Sequence, residues 1–288
     1  MDKMNKNNMR IALVSSLLAA SLAVQAGDRL LATGGAHMVE GAGGGGVVPW
    51  AFIAGYGTNR QVGGSAFFTR VETDDFELDS VGLAVGFHDR FEVSFSRQKF
   101  DAGSVIPGLE LKTDTFGAKV KVYGDAVYDQ DKPWPQIALG LMHKKNKDMT
   151  IPTAVGAKKG SDTDFYVSAT KVWLAGLAGR NVVGTVNLRA TRANQFGLLG
   201  FGGDKKSGYS AQPEISVAVL LTDTLALGVE HRFKPDNLSF AKEEDASDVF
   251  LAWFPHRNVA VTAAWARLGS IAGKDKQDGV YLSLQLTL

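Results

Sequence analysis

The chain of 288 residues carries a net charge of only +1, and Lys, Arg, Asp and Glu together make up 21% of it, so it lacks the field that would draw it to nucleic acid. Cysteine is absent, which excludes a disulfide framework, a thiolate metal site and a cysteine nucleophile. The length suits a single all-β domain as well as two smaller ones.

At the N-terminal end, Lys3, Lys6 and Arg10 precede the apolar run Ile11–Val24, and Val24-Gln25-Ala26 follows with small residues where cleavage occurs. The pattern predicts a signal peptide over 1–26. The apolar run is shorter than the roughly 20 residues a membrane-spanning helix needs. Residues 27–288 are then expected to form one exported domain. Next comes GAGGGG, 41–46. A phosphate cradle would need a following lysine, a serine or threonine, and a helix start. VVPWAFIAGYG follows instead, so the glycines read as a flexible loop or as backbone fitted closely inside a barrel.

From there period two dominates. Phe91, Val93 and Phe95 alternate with Glu92, Ser94 and Ser96, and Leu225, Leu227 and Val229 alternate with Glu230 and Arg232. Segments of about ten residues with one apolar and one polar face are expected of strands that cross a membrane in a closed barrel. Thirteen windows read this way: 48–58, 61–71, 76–87, 91–100, 111–123, 134–145, 162–173, 181–192, 209–221, 225–234, 247–254, 258–268 and 278–288. Short turns at 58–60, 88–90, 222–224 and 255–257 alternate with polar loops at 101–110, 146–161, 193–208, 235–246 and 269–277; the brief 72–75 is an exception on the loop side. Such alternation is the anatomy of an outer-membrane barrel, with short turns periplasmic and long loops extracellular.

Parity then sets the strand number. If 48–58 descends, an earlier strand must carry the chain up, and 30–40 is the available candidate. This predicts an all-β, antiparallel, up-and-down transmembrane β-barrel of 14 strands. The alternative is 12 strands with the glycine-rich N-terminal part as a plug in the lumen.

The hairpin turns also set register. Val85 should face Val93, Leu83 should face Phe95, and Glu214 should face Arg232 on the lumen side. The lumen-lining candidates are Glu92, Lys119, Lys121, Asp164, Arg189, Glu214, Glu230 and Arg232, charges that would fill a dry sandwich core poorly but suit a hydrated bore. Trp50, Phe87, Phe91, Trp173, Trp253, Phe254 and Trp265 are candidates for interfacial aromatic girdles. The five histidines have no metal-ligating spacing. His231 falls on the apolar outer face, where a Ser and His pair could cleave lipid, but its hairpin partner is Ile215, and Ser216 points to the lumen beside Glu230.

LLATGG, EGAGGG, VPWAFIAGYGT, QVGGSAFFTRV and FHDRFEVSFSRQ together resemble the domain-of-unknown-function 3034 family of proteobacteria, over essentially the whole of 27–288. The resemblance implies an outer-membrane-type barrel and transfers no functional residue. More loosely, the hairpin style is similar to barrels proposed to pass small organic or aromatic compounds. The function expected is therefore a porin-like passage for small solutes in the outer membrane of a Gram-negative bacterium. A structural or adhesion barrel is the alternative, with a lipid-modifying enzyme behind it. No cofactor is expected. The expected partners are outer-membrane lipid, small solutes and the barrel-assembly machinery, whose signals generally end in an aromatic residue, unlike Leu288.

Overall fold

The alternating segments become the staves of one antiparallel sheet that closes on itself. The computed structural model describes residue 29, residues 31–33 and residues 36–288. The signal peptide expected over 1–26 lies outside the described residues. Two strands of two residues each, β1 (Ala36–His37) and β2 (Gly43–Gly44), pair with one another apart from the barrel. The wall begins with β3 (Val62–Thr73), β4 (Glu77–Phe87), β5 (Phe91–Asp101) and β6 (Glu110–Tyr123). It continues through β7 (Gln136–Asn146), β8 (Ser161–Leu177), β9 (Arg180–Thr191) and β10 (Ser210–Thr222). The last four are β11 (Leu225–Arg232), β12 (Ala246–His256), β13 (Val259–Arg267) and β14 (Asp278–Thr287). Each pairs with its sequence neighbours, and β14 closes on β3 from Gly279 opposite Thr73 to Thr287 opposite Ser65.

The wall therefore has 12 strands, which corrects the expectation of 14 and matches the plugged alternative. Residues 48–58 form no strand, and the chain from 36 to 57 lies inside the barrel, where side chains of β4, β5, β6, β8 and β11 bond its backbone. A wall strand needs one face for lipid and one for the bore. The run Val47–Tyr56 is apolar at both parities and buried throughout. Pro49 also lacks the amide a ladder needs. At Gly55 the backbone turns with φ +83°, and a Cβ there would lie 2.6 Å from the backbone of Gly63.

The three registers expected of the hairpins are present: Leu83 faces Phe95, Val85 faces Val93 and Glu214 faces Arg232. Along the wall, outward positions such as Phe68, Val81, Leu83, Val186, Val249 and Leu282 are large, apolar and about half exposed, while their alternates point inward and are buried. Of the aromatic candidates, Phe87, Phe91, Trp173, Trp253 and Trp265 point outward. Trp50 and Phe254 do not. Both are buried inside, where Val47, Val48, Trp50 and Phe52 of the plug pack on Val172, Val183, Ala218, Phe250, Ala252 and Phe254 of the wall.

Turns at one end are short, with 124–135 as the long exception; loops at the other end are mostly long. A five-residue helix, α1 (Thr150–Ala154), lies in one of the loops. That end is capped by Phe76, Phe100, Leu111, Leu198, Leu199, Leu238 and Ile271, which form a second apolar cluster.

Candidate functional site: the plugged lumen

The glycine run of the plug is required by close approach, from the wall at Gly45 and from the plug's own backbone at Gly44. A Cβ on Gly45 would stand 1.8 Å from Oε1 of Glu230, and one on Gly44 would stand 2.4 Å from the carbonyl oxygen of Val48. At Gly41 the chain turns with φ +101°. The GAGGGG run is thus backbone fitted closely inside a barrel, the second of the two readings its sequence allowed.

Two sets of wall charges hold it. In the first, Glu92 of β5 and Lys119 of β6 pair at 3.0 Å, both fully buried. Glu92 accepts the amides of Gly43 at 3.1 Å and Ala54 at 2.8 Å, while the Lys119 ammonium donates to the carbonyls of Gly43 at 2.9 Å and Trp50 at 3.1 Å. One ion pair so engages both limbs of the plug. Buried ionic groups are tolerable when their remaining hydrogen-bonding capacity is met in this way.

The second set centres on Glu40, fully buried in the plug, whose carboxylate contacts Lys144 of β7 and Arg232 of β11 and lies 3.9 Å from Arg189 of β9. Arg189 donates to Glu214 at 2.6 Å and lies 3.4 Å from Asp164; Lys144 lies 2.6 Å from Asp164, and Arg232 3.1 Å from Glu214. Three cations meet three carboxylates, and the wall alone supplies all three cations but only two of the carboxylates. Glu40 closes the balance.

Neutral contacts complete the attachment. Ser80 and Gln98 donate to the carbonyl of Val39 at 2.6 and 3.1 Å, Ser168 to that of Pro49 at 2.9 Å, and Gln136 to that of Ala51 at 2.6 Å. His37 stacks on Phe67 with ring centres 5.0 Å apart. Glu230 accepts the amide of Val47 at 2.8 Å, and its register neighbour Asp248 adds a second buried carboxylate.

Seven of the eight lumen candidates, Glu92, Lys119, Asp164, Arg189, Glu214, Glu230 and Arg232, are thus buried around the plug. Lys121 sits apart, at the short-turn end, where it contacts Asp89 and faces Asp125 at 3.9 Å. It lines a polar cavity of about 390 Å³ with Arg29, Phe52, Asp89, Asp125 and Gln136. Sequence reasoning missed Glu40, Lys144 and Asp248. Parity along β7 and β12 would have found the two wall residues; Glu40, in a segment with no regular period, gave no such signal.

At the opposite end the cap closes over a small apolar cavity of about 50 Å³ between Phe76, Phe100, Leu111, Leu198, Leu268 and Ile271. Phe196, held at φ +61°, lies over the guanidinium of Arg232 at 4.5 Å and so separates this cavity from the charged belt.

A family model described as "Protein of unknown function (DUF3034)" matches residues 33–285. No curated protein matches the sequence. Among solved structures, the KdgM porin in complex with disordered oligogalacturonate is similar with a TM-score of 0.50 at 9% identity, over 77% of this chain and 98% of that one. The COG4313 outer membrane channel from Pseudomonas putida F1 gives a TM-score of 0.42 at 12% identity, over 84% and 96%. Outer membrane phospholipase A from Escherichia coli gives 0.38 at 9%, over 77% and 95%. At such identities the likeness is one of fold.

Proposed function

The chain belongs to the DUF3034 family of proteins of unknown function, and on the geometry above we propose that it is a gated channel for small solutes in a Gram-negative outer membrane. The short-turn end faces the periplasm and the long-loop end the exterior. The observation that carries this reading is the manner in which the bore is filled. Its plug continues into the wall through the short stretch 58–61, and its middle is held by ion pairs and hydrogen bonds that water and solute can replace. Behind that middle the wall is charged, so displacement leaves a hydrated path lined by Glu92, Lys119, Asp164, Arg189, Glu214, Glu230 and Arg232, while the apolar side chains Val172, Val183, Phe250 and Phe254 line the part covered by Val47–Phe52. Lys121 and its cavity form the periplasmic vestibule.

Conductance of the refolded protein in a planar bilayer tests this. The full chain is expected to show brief, small openings, and a variant lacking residues 29–57 large and sustained ones. Should that deletion fail to give the β-sheet circular dichroism of the full chain, Glu40→Gln serves in its place. Folded protein without current steps in every one of these forms would overturn the channel and leave a structural barrel.

A further inference from the structure

On the outer surface, at the long-loop end, four adjacent strands present polar side chains in one row. His231 of β11 stands opposite Ser247 of β12, Ser247 opposite Arg267 of β13, and Arg267 opposite Asp278 of β14. One step toward the other end, the same strands present Val229, Val249, Trp265 and Val280, again in register and exposed. An apolar row directly below a polar one marks the level at which acyl chains give way to headgroups. Ester carbonyls of membrane lipids lie at that level.

Within the polar row, Ser247 Oγ lies 2.6 Å from Nδ1 of His231, and Nε2 of the same ring lies 3.9 Å from Oδ2 of Asp245. The ring is set on edge against Phe233, centres 4.4 Å apart and planes at 82°. The Asp245 carboxylate is fixed by the backbone amide of Lys234 at 3.0 Å. His231 and Asp245 are each 38% exposed, open to a molecule arriving from the membrane. A cleft of about 210 Å³ adjoins Ser247, lined by Arg267 and Lys276 together with Glu244, Asp245 and Asp278. Both signs of charge are present, which suits a headgroup that carries both.

We infer that Ser247, His231 and Asp245 form a hydrolytic site for the acyl esters of zwitterionic glycerophospholipids, on the outside of the wall. A serine is activated when a neighbouring base within hydrogen-bond reach is itself oriented by a third group. Ser247 Oγ attacks the ester carbonyl carbon while its proton passes to Nδ1 of His231, and the carbonyl electron pair moves onto oxygen beside Arg267. The C–O bond to glycerol then breaks, and the departing alkoxide takes the proton from His231 and leaves as lysophospholipid. Water attacks the acyl-serine, gives a proton to His231, and releases the fatty acid as the proton returns to Ser247. The sum is ester plus water to lysophospholipid plus fatty acid. Asp245 acts as a positioning residue: its carboxylate, 3.9 Å from Nε2, favours the tautomer with the ring proton on Nε2 and so leaves the Nδ1 lone pair free to take the serine proton. The site is independent of the channel, which uses the inner face.

The test is fatty-acid release from phosphatidylethanolamine in detergent micelles, together with labelling of Ser247 by a fluorophosphonate probe. The full chain is expected to do both, and Ser247→Ala neither. His231→Ala should lower release by about 10²-fold or more, Asp245→Asn should lower kcat with KM unchanged, and the lumen variant Ser216→Ala should behave as the parent. A folded full chain that neither releases fatty acid nor takes up the probe overturns the proposal, as does release unchanged in Ser247→Ala.

Discussion

Glu40 shows how much one side chain can decide in this barrel and how little of that its sequence context reveals. Its neighbours Val39 and Gly41 give no period from which a direction could be read, yet it neutralises a group in which Lys144, Arg189 and Arg232 outnumber Asp164 and Glu214. Removing one member of a buried ionic set typically costs about 3–5 kcal/mol, because the partner charges stay behind in low dielectric. Glu40→Ala should therefore loosen the plug, read as faster hydrogen exchange of the amides at 36–57 with the strand amides unchanged. Gly44→Ala is expected to act by crowding instead. Its Cβ would meet the Val48 carbonyl at 2.4 Å and Cα of Pro49 at 2.8 Å, both backbone atoms that cannot swing aside. A loss of about 1–3 kcal/mol follows. Gly208→Ala, where nothing lies within 4 Å, is the matched control and should be silent in the same thermal unfolding experiment.

Elements differed in legibility according to what connects them. Where a tight turn joins two strands, the turn fixes register, and the facing pairs of the β4–β5 and β10–β11 hairpins could be written down from sequence. Between β11 and β12 runs the loop 233–245, which fixes nothing. His231 could thus be matched with Ile215 across the hairpin but not with Ser247 on its other side. The same loop carries a titrating group. Glu243 is buried beneath the cap, accepts the amide of Gln195 at 2.9 Å and lies 3.9 Å from Lys234. Burial pushes its carboxyl up to about 7, opposed by Lys234 and Arg232 and reinforced by Asp236. Because the folded cap prefers the neutral form, this stabilisation is fully present below the ordinary carboxylate range and is lost as pH rises through about 7. Proteolysis within 233–245 should be faster at about pH 8.5 than at about pH 5.5. Glu243→Gln should abolish the difference, and a difference that persists in that variant would assign it to another group.

For the whole molecule, the 12 wall strands are legible because each alternates lipid-facing and lumen-facing residues, whereas the plug contains an apolar run that reads as one strand more. Val47–Tyr56 has the hydrophobicity of a wall segment without its polar alternates, and counting it as a strand requires a fourteenth for parity. What separates the two architectures is the partner of β14. In the closed barrel Ser283 faces Thr69, with hydroxyl oxygens 2.8 Å apart. Directly opposed residues of antiparallel strands stand at a separation a disulfide can bridge. In a chain without native cysteine, Thr69→Cys with Ser283→Cys should form that bond on oxidation, seen as a mobility shift reversed by reductant. A wall of 14 strands would put both 30–40 and 48–58 between those segments and leave both thiols free.

The seam where β14 meets β3 has one further consequence. The carbonyl of Leu288 accepts the amides of both Tyr56 and Gly64 at 3.1 Å, and the amide of Leu288 donates to Gly64 at 2.7 Å. The wall is therefore a ring in space that the covalent chain happens to cut at its seam. A short linker from Leu288 to Val62, with new ends opened at the exposed Ala178-Gly179 turn, would give a permuted wall that no longer carries its plug. Residues 29–57 could then be added as a separate peptide, and the strength with which the bore holds its own stopper would become an ordinary titration.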